Sequence, residues 1–159
     1  MSIFVFDAYG TLFDVHAAIA RHRQEMGPDA DRISALWRTK QLEYSWTLTL
    51  AGHYTDFWVL TERALDYALA SVPSANKALR PKLLDAYFKL DAFPDARTTL
   101  KSLRAKGGKT GILSNGSPAM RSFSPDGFFR PIGPRNFSGV RLRPFKSALM
   151  SAGSSFTPS

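Results

Sequence analysis

Residues 3–14 read IFVFDAYGTLFD: a short apolar run with β-branched members ends on Asp7, turns through Gly10 and Thr11, and reaches a second acid at Asp14. A continuous apolar run of this length predicts a buried strand over residues 3–7, of the kind found in parallel sheets covered by helices. The next segments predict helices instead of a pairing strand. Residues 15–26 read as helical. Residues 32–50 place Ile33, Leu36, Trp37, Tyr44 and Leu48 near one face, and residues 56–70 repeat Trp58, Thr61, Leu65 and Leu69 at helical spacing. Residues 78–90 read as a fourth helix, with Pro81 tolerable only in its first turn.

The pattern then changes. FPDARTTLKSLRAKGG predicts a loop, an Asp95 N-cap, a helix with Leu100 and Leu103 inward, and a stop at Gly107–Gly108. KTGILSNGS (109–117) predicts a strand running into a turn. A strand, four helices and a later helix–strand unit predict an α/β protein with a parallel sheet. The core is expected over residues 1–13 and 91–120, with residues 14–90 inserted as a helical cap. Beyond Met120, 17 of 39 positions are Pro, Gly or Ser, and neither the helical nor the strand period survives. A sheet needs more than two strands to close its core, so the C-terminal part of this core reads as incomplete. Residues 121–159 read as an atypical tail, with disorder one of the states open to it.

The formal charge of +8 raises nucleic acid as a partner, but its distribution argues against one. Residues 1–120 carry a net +3 and the tail a net +5, so most of the basicity lies outside the patterned region. The chain has no cysteine, which excludes a disulfide framework and a thiolate metal site. IFVF is too short for a signal peptide or a membrane span, and a soluble, cytoplasmic protein is the expectation. His16, His22 and His53 lack metal-ligand spacing, and nothing around Gly107–Gly108 fits a phosphate loop.

In open parallel sheets, reactive groups gather beyond the carboxyl ends of the strands. Asp7 ends the first strand, and Ser114 and Asn115 end the later one. If the two strands are neighbours, the three side chains face one crevice. Gly10 allows a sharp turn after the strand, and Thr11 can offer a hydroxyl and a backbone N–H to an anion.

FDAYGTLFD and ILSNGS resemble the first two motifs of the haloacid dehalogenase (HAD) superfamily, and LWRTKQLEYSW and AGHYTDFW resemble the cap of its L-2-haloacid dehalogenase (type II) family. The resemblance covers about residues 3–120. It implies a Rossmann-like core with a helical cap inserted after the first strand. Phosphatases of the superfamily carry a second Asp two residues after the nucleophile, where it protonates the leaving alkoxide beside a Mg²⁺ site. Tyr9 stands there in this chain. A halide leaves as a stable anion and needs no proton, so the substitution argues for a carbon–halide bond and against a required metal or other cofactor.

The resemblance further implies that Asp7 attacks C2 of a small 2-haloacid with inversion, and that water then cleaves the resulting ester. Arg38 matches the family's arginine and would hold the departing halide or the substrate carboxylate. Ser114, Asn115 and Thr11 are candidates for binding the carboxylate and orienting Asp7. Tyr9, Leu42 and Phe57 are candidate pocket residues. No nucleic acid or membrane partner is expected, and a homodimer is one assembly open to the chain.

The family pattern continues with a lysine, usually in a KP dipeptide, which pairs with the nucleophile. After it come a last strand and an acid-bearing loop. None of these is recognisable here, and the surroundings of Lys146 do not match. A truncation or frameshift near residue 120 would account for this, and the chain is then expected to be impaired. Two alternatives stay open: another superfamily hydrolase of phosphatase type, and an inactive truncated product.

Overall fold

The computed structural model describes residues 2–116. Positions 117–120 of the expected core, the expected tail over 121–159 and Lys146 within it lie outside the described residues. Strand β1 (Ile3–Phe6) is followed by α1 (Ala17–Ala20), α2 (Arg23–Met26), α3 (Ala30–Leu50) and α4 (Phe57–Ser71). A 3₁₀ turn (Lys77–Leu79) then leads into α5 (Arg80–Phe88), α6 (Ala96–Ala105) and β2 (Lys109–Ile112). The result is a mixed α/β fold, mostly helical, with a two-stranded parallel sheet among the described residues.

The sheet joins the two ends of the described chain. Ile3 pairs with Lys109 and Phe6 with Ile112, and the Leu113 N–H donates to the Phe6 carbonyl at 2.9 Å. Both strands therefore end at the same edge. Helix α6 packs against β2. Leu12, Ala96 and Leu100 form a small buried cluster there, with Phe6, Phe93 and Ile112 against it.

The expectation of a buried first strand is corrected here. Ile3 is 64% exposed and Val5 49%. Side chains alternate across a strand, so Phe6 turns toward the α6 cluster while Ile3 and Val5 turn away from it. Among the described residues no third strand or second helical layer covers that other face.

The larger core lies among the helices. Ile33, Trp37, Gln41 and Ser45 are buried at four-residue intervals along α3, and face the buried Leu60, Thr61, Ala64, Leu65 and Ala68 of α4. Asp56 caps α4 by accepting from the Trp58 N–H at 2.8 Å. The expected single helix over 15–26 is two short ones. Ala17, Ala18 and Ile19 are buried in succession instead of along one stripe, His22 departs from helical geometry, and Gly27 ends α2 with φ +86°.

Pro81 lies in the first turn of α5, as expected, after a 3₁₀ turn capped by Asn76. Asp95 occupies the N-cap position of α6, but its side chain makes no capping bond. No described helix is long and apolar enough to cross a membrane.

Candidate active site

The loop after β1 closes on itself. The Ala8 carbonyl receives N–H groups from Thr11 (3.4 Å), Leu12 (2.9 Å) and Phe13 (2.9 Å), while the Gly10 N–H donates to Phe13. Gly10 has φ +92°, a conformation that L-residues with a side chain rarely adopt. A Cβ there would also lie 3.3 Å from Arg38 Nη2. Asp7, at the mouth of this loop, is exposed, as is Thr11. The Thr11 N–H, expected to face an anion, points at Ala8 instead. Across the sheet, the Ser114 hydroxyl is half-buried and accepts from the Gly116 N–H at 3.2 Å, and Asn115 is exposed. The parallel pairing of β1 with β2 brings Asp7, Ser114 and Asn115 to the same end of the sheet.

Tyr9 is buried under this end. Its ring stacks on Tyr87 at 5.9 Å and packs on Phe57 at 5.8 Å and Phe13 at 6.5 Å. Gly116 presses on the ring's edge, where an added Cβ would lie 2.8 Å from Cε2. Burial pushes the Tyr9 phenol well above its ordinary range, with Tyr87 and Asp7 adding to the effect. Tyr9 is therefore a neutral ring enclosed by Phe13, Phe57 and Tyr87.

Arg38 reaches this loop from α3. Its Nη2 donates to the Tyr9 carbonyl at 2.8 Å and its Nη1 to Gln41 Oε1 at 2.9 Å. Gln41 in turn bonds Thr61 of α4 and Tyr87 of α5. Burial pushes the Tyr87 phenol up to about 12, opposed by its bond to Gln41 and by the nearby Arg38 charge. Trp37 packs on Tyr87 at 5.0 Å and donates its indole N–H to the Thr61 carbonyl at 2.9 Å.

An open cavity of about 370 Å³ lies beside this network. The end of α3, the loop before α4 and the turn after β2 form its walls. Phe57, Ser114 and Asn115 line it, as do Leu60 and His53. Asp7, Thr11, Tyr9 and Arg38 are not part of that lining, and neither is Leu42, which is half-buried on α3. His16 bonds the Ser34 hydroxyl at 2.7 Å and His22 pairs with Glu25 at 2.9 Å. Among the described residues, no three His, Asp or Glu side chains gather where they could hold a metal.

Gln41, Thr61 and Tyr87 are polar residues of the buried network that sequence reasoning did not find, and His53, read as a surface residue, lines the cavity. A signal for Gln41 existed. It falls on the same four-residue stripe as Ile33, Trp37 and Ser45, which places a polar amide on a face otherwise destined for burial.

Comparison with known proteins gives a consistent set of relatives. Residues 1–125 match the family described as haloacid dehalogenase-like hydrolase. (S)-2-haloacid dehalogenase 1 of Pseudomonas sp. (strain CBS-3) is 54% identical over 117 residues, which cover 73% of this chain and 52% of the relative. (S)-2-haloacid dehalogenase 4A of Burkholderia cepacia is 50% identical over 117 residues, 73% of this chain and 51% of its own length. Among solved structures, the L-2-haloacid dehalogenase from Xanthobacter autotrophicus with chloropropionic acid covalently bound superposes with a TM-score of 0.65 at 39% identity. That match covers 76% of this chain and 49% of the other. The chain spans about half the length of the curated relatives it matches.

Proposed function

The chain belongs to the haloacid dehalogenase-like hydrolases, and from that premise we propose that it is built for hydrolytic dehalogenation of L-2-haloacids to 2-hydroxy acids with inversion. In this reading the sheet with α6 is the Rossmann-like core, and the helices between residues 14 and 90 are the cap. The observation that carries it is the bond from Arg38 Nη2 to the Tyr9 carbonyl. It ties a cation on the cap to the loop that begins at Asp7.

The Asp7 carboxylate attacks C2 of the substrate from the side opposite the halogen. The C–O bond forms as the carbon–halogen bond breaks, and the halide leaves with the electron pair. Water then adds to the carbonyl carbon of the ester, and the tetrahedral species collapses to release the hydroxy acid and restore the Asp7 carboxylate. Arg38 stabilises the departing halide or the substrate carboxylate by charge and by its planar set of N–H groups. Ser114, Asn115 and Thr11 bind the carboxylate and orient Asp7. Tyr9, Leu42 and Phe57 wall the alkyl group. The neutral Tyr9 ring supplies no proton, and a halide needs none.

The covalently bound chloropropionic acid in the Xanthobacter relative supports an ester intermediate. The test is chloride release by the purified chain from each enantiomer of 2-chloropropionate. Chloride from the (S) enantiomer alone, with (R)-lactate as product, is expected. Equal release from both enantiomers, or none from either, would contradict the reading.

A further inference from the structure

If Arg38 is the cation of the site, as proposed above, what holds its guanidinium determines how well it can serve. Gln41 is 1% exposed, and the hydrogen-bond polarity around it fixes which way its amide points. The Thr61 hydroxyl donates its single proton to the Phe57 carbonyl at 2.8 Å. Toward Gln41 it can therefore only accept. The 2.7 Å contact between the two side chains must come from Gln41 Nε2. That leaves Oε1 facing Arg38, where it accepts from Nη1 at 2.9 Å. The Tyr87 hydroxyl lies 2.9 Å from Nε2 and 3.1 Å from Oε1, so it is compatible with this orientation without choosing it. A flipped amide would set two donors face to face at Arg38 and two acceptors at Thr61, in a buried place where unmade bonds are costly.

Arg38 is thus bonded through both Nη atoms, one to Gln41 and one to the Tyr9 carbonyl. A planar group held at both corners cannot rotate about Cζ–Nε without breaking a bond. We propose that Gln41 is a positioning residue: its amide, oriented by Thr61 of α4, fixes the plane of the Arg38 guanidinium against the loop that carries Asp7. The titratable groups facing Gln41 are Arg38 on its own helix and Tyr87 from α5, while α4 presents the neutral Thr61.

The test reads Arg38 itself. In the full chain with ¹⁵N-labelled arginine, NMR exchange measurements report rotation about the Arg38 Cζ–Nε bond. Wild type is expected to rotate at least about tenfold more slowly than an exposed arginine, the effect of roughly one retained hydrogen bond. Gln41→Met, similar in length but with only a weakly accepting thioether, should loosen that restraint and leave only the bond to the Tyr9 carbonyl. Gln41→Glu, which keeps an acceptor toward Arg38, should restore it once the Thr61 hydroxyl turns its proton from the Phe57 carbonyl to the carboxylate. A purely structural role for Gln41 would lower the melting temperature of Gln41→Met without changing Arg38 rotation relative to wild type.

Thr61→Val keeps Gln41 but removes the group that orients it, and should give Arg38 a second set of signals. If Gln41→Met does not fold, wild type and Thr61→Val decide the matter. Free rotation in wild type, or an unchanged single set of signals in Thr61→Val, overturns the proposal. Chloride release from the same wild-type sample separates the two readings. Restrained rotation without chloride release counts against dehalogenation alone, and chloride release with free rotation counts against positioning alone.

Discussion

At the scale of single residues, the site depends on contacts between distant positions. Tyr9 and Arg38 are 29 positions apart, and one hydrogen bond joins them. Arg38→Ala should lower halide release about a hundredfold or more, the usual effect of removing one preorganised charge stabiliser. Arg38→Lys should recover part of it, since an ammonium keeps the charge but cannot bond two acceptors in one plane. Steady-state chloride assays on both variants check this, and full activity in both would remove Arg38 from the site. Gly116→Ala would drive a Cβ against the Tyr9 ring, which is packed on three other aromatics and cannot swing aside. A loss of about 1–3 kcal/mol is expected in urea unfolding, the range for overpacking a core. Short motifs single out Asp7, Tyr9 and Arg38 in the sequence, and the structure brings Arg38 to the loop that begins at Asp7. Gln41 went unread although it lies on the Ile33–Trp37 stripe, because a glutamine in a helix usually faces water and its burial depends on α4 and α5.

At the scale of elements, α3 and α4 form the most extensive contact in the described protein. Leu65 is fully buried in it. Leu65→Ala should cost about 2–5 kcal/mol in chemical denaturation, the transfer term plus the cavity left behind. A loss below 1 kcal/mol would mean that this helix pair is not the centre of the core. Both helices were legible from their apolar period and end within about two residues of the expected bounds, the usual uncertainty at helix ends. The 15–26 region was harder to read because burial of three consecutive residues has no period. Asp95 shows a further limit, since a residue in the right place for a cap need not make the bond. The first strand was correctly placed and wrongly assigned to the interior. Its apolar composition suits coverage on both faces, and coverage depends on elements that the strand's own residues do not specify.

At the scale of the whole molecule, the polar centre and the aromatic core are the same place, so protonation there should be felt in stability. Tyr87 holds its proton up to about 12 in the folded protein, against an ordinary value of 10.0, and Tyr9 is raised as well. Stability from these groups is fully present below pH 10. It is lost as the pH rises through the folded values, because the unfolded chain ionises first. Unfolding midpoints should fall between about pH 10 and about pH 12, with a slope on the order of 1 kcal/mol per pH unit. A flat profile over that range would show that the two phenols are reached by water.

The central claim is that Asp7, at the end of β1, is the nucleophile. Its direct measurement is a single turnover of excess protein with (S)-2-chloropropionate in ¹⁸O water, followed by mass spectrometry of the peptide containing Asp7. The account predicts one ¹⁸O on the Asp7 carboxylate and ¹⁶O in the first lactate formed, with no turnover by Asp7→Asn. Label in the lactate, with none on Asp7, would mean that water attacks the substrate directly and would contradict the account.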